Sequence, residues 1–446
     1  MGNISETSQW VENINQIEPG EHVTAGFGGV ANRALGQLAD RTQFLKDNSA
    51  PLMSAGRINN PLVHLPLKNG FNMPYGTGSV SFARSTTATY IDRYGVVQHA
   101  AADEPRFEKE GLLIEGSSTN LCLHSEDFSN AVWSKNDTGH DVVVTANATT
   151  APDKSTNASK LLGAASGPSV IRELIGITAT TDAFVASIFI KAGDAEETCF
   201  NVYFSGGTEY NAYLYWDDKH LTGNTSTLVA LNNGWYKWSM RIEDTSGTLT
   251  GISYRLWPSG RSVSNKYIYA WGAQLEPLPF ASSYNPTTTA AVTRTADVCS
   301  LTYAGNMPDE TVGADRTLLI DFSFLGQHNS MQTIFYSNYA GDYLVRYPTD
   351  TVGIVKSRIN SNLLYSSVFA AFDGTKYRGG LVSDGVKSLY YINGSLEDSA
   401  NIVYRDIQTQ VELRLGVNAS SDQLFGHLSN FRIWDEALTE QEMRIA

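Results

Sequence analysis

Hydrolysis of a glycosidic bond needs two carboxylates held on opposite sides of that bond, and no strand of this chain supplies such a pair. The E-x-D-x-x-E pattern does not occur, and the acids of "WDEALTEQE" (434–442) fall on a short C-terminal helix. There they read as a solvated face and a helix cap, with Glu442 placed to complete a capping box. "IEGSSTNLCLHSEDF" carries further acids, but no partner for them is identifiable. The eight histidines are scattered, without H-E-x-x-H, and neither G-x-S-x-G nor a Ser-His-Asp set can be assembled. Cys122, Cys199 and Cys299 lie far apart without C-x-x-C spacing, so they read as buried small side chains, not zinc ligands or a disulfide framework. "GFGGVA" (26–31) fits the dinucleotide fingerprint but lacks the apolar strand before it and the parallel strand after it that build a phosphate site. No catalytic residue, cofactor or metal ligand is assigned.

What the chain does carry is a vocabulary for binding sugars, which are held by flat aromatic faces with a few polar groups fixing orientation. It has 8 Trp and 22 Tyr. "YSNYAGDYLVRYP" clusters Tyr336, Tyr339, Tyr343 and Tyr347 around Asp342, while Trp216 stands in "YWDDKH" and Trp257 in "LWPSGRS". Tyr339, Asp342, Tyr343, Trp216 and Trp257 are therefore the candidate carbohydrate contacts. The competing reading is packing, since sheets are rich in aromatic side chains.

These residues need elements to hold them. At 446 residues the chain exceeds one hydrophobic core and suggests two or three domains. Acidic residues (46) outnumber Lys plus Arg (32), a formal charge of −14, which argues against a nucleic-acid surface. No apolar run reaches membrane-spanning length, and the polar start "MGNISETSQWVENIN" predicts no secretory signal. From Asn32 the chain reads as a helix, in which Ala31, Leu35, Leu38, Thr42 and Leu45 form a short a/d seam. Two heptads are marginal alone, so the seam needs a partner: the chain's own sheets or further copies of itself.

Residues 51–118 read as an extended connector with a hairpin from Thr89 to Gln98. A β-sandwich is expected over 119–290, with about ten strands between His140 and Leu275. "PTTTAAVTRTADVCS" (286–300) is the passage to a second sandwich over 304–446. There Leu318, Ile320, Phe322 and Phe324 share one face of "RTLLIDFSFL", and "SDG" and "NG" mark tight turns. The fold class is mainly β: a short N-terminal coiled-coil helix (1–50) followed by two β-sandwich, jelly-roll domains.

Three stretches carry a resemblance. "GGVANRALGQLADRTQFLKDN" resembles the N-terminal segment of many tailed-bacteriophage fibre proteins. "ATYIDRYGVVQHAAADEPRFEKEGLLIEGSSTNLCLHSEDFSNAVWSK" is similar to a segment common in phage structural proteins, with "WGAQLEPLPFASSYNPTTTAAVTRTADV" as its far end. The sandwich between them is similar to carbohydrate-binding modules. "GTKYRGGLVSDGVKSLYYINGSL" with "GHLSNFRIWDEALTEQEM" looks like a concanavalin/laminin-G-like lectin domain, although no full set of lectin calcium ligands is matched. The resemblance implies a receptor-binding tail fibre on the virion surface. It would be assembled in the host cytoplasm as a homotrimer through the seam and joined to other virion proteins by its N-terminus. It would bind host cell-surface polysaccharide without membrane insertion. A capsid decoration or head fibre and a host-polysaccharide depolymerase are the alternatives.

Overall fold

Strict alternation builds the middle of the chain. In "WYKWSMRIE" Trp238, Met240 and Ile242 have no exposure, while Lys237, Ser239 and Arg241 take the other face. That period of two makes one side of a strand core and leaves the other free. The structure, a computed structural model, describes residues 59–446 except 136–139, 178–182, 245–248, 262–264, 303–305, 307–314, 329, 338–341, 347–353, 360–361, 370–372, 402–411 and 419–421. The N-terminal helix and its seam, Ala31 to Leu45, lie outside the described residues.

The middle sandwich packs a six-stranded sheet on a five-stranded one. The larger runs Ser226–Ala230, Trp235–Glu243, Ala183–Ala192, Tyr267–Glu276, Ala158–Leu162, Val143–Thr149. The smaller runs Ile171–Gly176, Gly251–Trp257, Glu197–Phe204, Glu209–Tyr215, Leu221–Gly223. Phe184, Ile188 and Trp238 of one meet Phe200, Val202 and Tyr254 of the other, with the Phe200 and Trp238 rings 5.4 Å apart.

The C-terminal sandwich holds an eight-stranded and a seven-stranded sheet. Arg316–Phe324 lies between Tyr377–Ser383 and Gly426–Trp434 in the first, and its Leu318, Ile320, Phe322 and Phe324 join the core. Asn393 and Gly394 both take positive φ (51° and 78°) in the tight turn after Ser388–Ile392, as that hairpin's twist requires. Thr439 and Glu442 close a capping box on the terminal helix Glu440–Ile445.

Residues 51–118 depart from the expected connector. The hairpin is present, Ala88–Ile91 on Val97–Ala100. The flanking pieces, however, are strands of the C-terminal sandwich. Val63–Leu65 and Leu112–Ile114 both pair with Gly426–Trp434, and Val80–Ala83 pairs with Val298–Thr302. Each piece is only three or four residues long, too short for a readable period. Edges of large sheets offer unpaired N–H and C=O groups that such segments satisfy. The middle sandwich is therefore inserted within the C-terminal one. The chain leaves through Ser118–Asn120 and returns through Val292–Arg294, and these two strands pair with each other.

A buried ion network seals this gate. Arg106 reaches Glu115 at 2.7 Å and Asp297 at 2.5 Å, Arg84 reaches Asp297 at 3.2 Å, and Arg294 reaches Glu115 at 3.4 Å. All five side chains are fully buried. Guanidinium forks suit this task, because each can bridge two carboxylates in a fixed plane.

Candidate functional site

The five-stranded sheet turns one face into the core and leaves the other to be lined by polar and aromatic groups. In "CFNVYF" Phe200, Val202 and Phe204 are core, so Cys199, Asn201 and Tyr203 face out. In "SYRLW" Tyr254 and Leu256 are core, so Ser253, Arg255 and Trp257 face out. Strand register aligns these positions in three rows. Trp257, Cys199, Tyr213 and Thr222 form the first; Arg172, Arg255, Asn201 and Asn211 the second; Leu174, Ser253, Tyr203 and Glu209 the third. A polar ladder thus runs between two rows that each carry aromatic rings.

The ladder is built by hydrogen bonds. Asn201 Nδ2 donates to Asn211 Oδ1 at 2.9 Å, to Glu209 Oε1 at 3.0 Å and to the Tyr210 carbonyl at 3.0 Å. Arg255 lies 4.9 Å from the centroid of the Tyr203 ring and is oriented by Ser253 Oγ at 2.9 Å. Arg261 covers the Trp257 ring at 5.1 Å and pairs with Glu209 at 2.5 Å. That ion pair raises the Arg261 pKa and lowers the Glu209 pKa against the burial that opposes both charges. Burial pushes the Tyr213 hydroxyl and the Cys199 thiol up, the latter to about 12, so this cysteine is inert as a nucleophile.

Among the buried polar atoms on this face without a hydrogen-bond partner are Asn201 Oδ1 and Trp257 Nε1. A buried acceptor or donor left unpaired costs ~1–3 kcal/mol, so a ligand hydroxyl reaching either atom would recover that energy. Chemically, the face offers ring surface, amides and guanidiniums side by side. Such a set can stack on and hydrogen-bond to a polyol.

The sequence candidates are distributed differently from a single cluster. Trp257, 9% exposed, lies on this face beneath Arg261. Trp216 is 5% exposed, belongs to the core between the sheets, and donates its Nε1 hydrogen to Thr198 Oγ1 at 2.8 Å. Asp342 and Tyr343 open the strand Asp342–Arg346 of the C-terminal sandwich, with Tyr343 in register with Tyr336. Tyr339 lies outside the described residues. Asn201, Tyr203, Tyr213 and Arg255 were not singled out from sequence, although the alternation of "CFNVYF" carried the signal.

Among the described residues, two groups bring carboxylates and an imidazole within 4.8 Å of one another: Glu108, Glu110 and His427, and the exposed Asp217, Asp218 and His220. His427 gives Nε2 to Glu108 at 2.9 Å and Nδ1 to Ser323 at 3.2 Å. Burial opposes its charge, but the Glu108 bond and charge outweigh it and raise the His427 pKa.

No protein-family model matches the chain, and no curated protein matches its sequence. Among solved structures, part of the chain is similar to the CBM40 of Ruminococcus gnavus IT-sialidase, bound to α2,3 sialyllactose. That likeness is at 13% identity, covers 30% of this chain and 83% of the other, and has a TM-score of 0.26. Domain 4 of a GH43 extracellular arabinanase from Geobacillus stearothermophilus, in complex with arabinotriose, is similar at 18% identity. It covers 37% of this chain and 79% of the other, with a TM-score of 0.27. Domains LG4-5 of the mouse laminin α1 chain are similar at 9% identity, over 60% of this chain and 88% of theirs, with a TM-score of 0.22.

Proposed function

We propose that this protein is a non-catalytic glycan-binding protein whose middle sandwich grips saccharide on the outer face of the five-stranded sheet. The observation that carries the reading is the polar ladder between aromatic rows, with Asn201 Oδ1 and Trp257 Nε1 buried and unpaired. Arg261 acts as the cover that a sugar ring displaces from Trp257. The N-terminal series "GGVANRALGQLADRTQFLKDN" supports the finer reading of a tail fibre or receptor-binding protein of a tailed phage, trimeric through the Ala31–Leu45 seam. Tyr339, Asp342 and Tyr343 remain a second proposed contact on sequence grounds.

The test is binding of the purified full-length chain to polysaccharide from host cells, read by calorimetry. Trp257→Ala removes stacking and a donor together. Ring stacking is worth ~0.5–1.5 kcal/mol beyond its area, so a loss of about tenfold or more in affinity is expected, with the melting transition retained. Unchanged affinity in Trp257→Ala and Asn201→Ala together would remove this face from the reading. Light scattering giving one chain mass instead of three would remove the trimer.

A further inference from the structure

Ala50–Ala446 form one unit, and a cleft of about 620 Å³ opens within it where the two sandwiches meet. That volume lies inside the ~300–1,000 Å³ range of small-ligand sites. Its floor is the outer face of the six-stranded sheet, where Lys237, Ser239 and Arg241 stand at alternate positions. Tyr90, Phe189 and Phe280 supply aromatic wall. None of these belongs to the five-stranded sheet's face.

The carboxylates that line the cleft are already engaged. Glu115 is held by Arg106 and Arg294 within the buried network. Burial raises the Glu276 pKa, although Ser118 and Ser282 donate to its carboxylate. Glu108, the other wall carboxylate, is occupied by His427. Asp373 stands at the rim with its carboxylate taken by Thr375 of its own turn. Lys237 donates to the Ser282 carbonyl at 2.6 Å. An ammonium has three donors, so two remain for a ligand. Burial also lowers the Lys237 pKa despite Glu276, Glu115 and Glu108 nearby.

We infer that this cleft is a second binding site, specific for an acidic saccharide, whose carboxylate meets Lys237 and whose ring lies against the Tyr90–Phe280 wall. The aromatic wall selects the ring, the seryl and threonyl hydroxyls of the floor suit its hydroxyls, and the two unused donors of Lys237 select the acid.

The experiment titrates the full-length chain with trigalacturonate, and with neutral trigalactoside and inorganic phosphate as separate probes. Trigalacturonate is expected to bind, to weaken as salt rises, and to lose at least about tenfold in affinity in Lys237→Met, which keeps the aliphatic stem. Ser239→Trp fills the cleft from its floor without altering charge and is expected to abolish binding; circular dichroism verifies that both variants fold. Should Lys237→Met fail to fold, Ser239→Trp decides the question alone. Absence of trigalacturonate binding, unchanged affinity in a folded variant, or phosphate binding as tightly as the saccharide would each overturn the inference.

Discussion

Glu115 is the residue on which the gate of the inserted sandwich turns, and replacing it with Gln should weaken the fold measurably. Its carboxylate accepts from Arg106 and from Ser283 Oγ, both at 2.7 Å, and from Ser283 N at 2.8 Å, with Arg294 at 3.4 Å. Burial opposes the charge, but Arg294, Arg106 and Ser283 outweigh it and hold the pKa well below the usual carboxylate range. Gln keeps the shape and one acceptor but leaves three buried guanidiniums facing Asp297 alone. Removing one partner of a buried pair costs ~3–5 kcal/mol. At ~2–4 °C per kcal/mol, the melting transition should fall by roughly 6–20 °C. Urea unfolding followed by tryptophan fluorescence measures the loss. Its pH dependence identifies the cause. A carboxylate with a depressed folded pKa contributes fully above its unfolded value of ~4.3 and loses that contribution as pH falls through the folded pKa. The gap between wild type and Glu115→Gln should therefore be constant from pH 7 to about 5 and shrink below pH 4. A loss under about 1 kcal/mol, or a gap unchanged down to pH 3, refutes the reasoning.

The His427–Glu108 pair has the opposite sign. Because the folded His427 pKa is raised, its contribution is fully present below the unfolded value of ~6.5 and is lost as pH rises through the folded pKa. The stability gap between wild type and His427→Asn should be larger at pH 6 than at pH 9, by urea titration at both. Gly426→Ala should destabilise through contact alone, since a Cβ there would lie 1.9 Å from the Ser323 carbonyl oxygen on the paired strand. Overpacking costs ~1–3 kcal/mol, and an unchanged urea midpoint would contradict it.

Local pattern decided more of this fold than of its site. Alternation in "WYKWSMRIE" and "RTLLIDFSFL", the Asn393-Gly394 turn and the Thr439–Glu442 cap were all legible, because each is fixed by neighbours within a few residues. The candidate face was half legible: "CFNVYF" and "SYRLW" each show which residues point outward. Only strand pairing places Asn201 beside Arg255 and Asn211. Trp216 and Trp257 both stand beside polar turns in sequence, and packing sent one ring into the core and the other onto the face. The insertion was not legible. Val63–Leu65 and Gly426–Trp434 pair across most of the chain, and Arg84 meets Asp297 over a separation of 213 residues. Hydrophobic periodicity records which side of a strand is dry. It carries no information about which distant edge supplies the strand's hydrogen bonds, or which distant carboxylate neutralises a buried guanidinium, and those choices are made only when the whole chain closes.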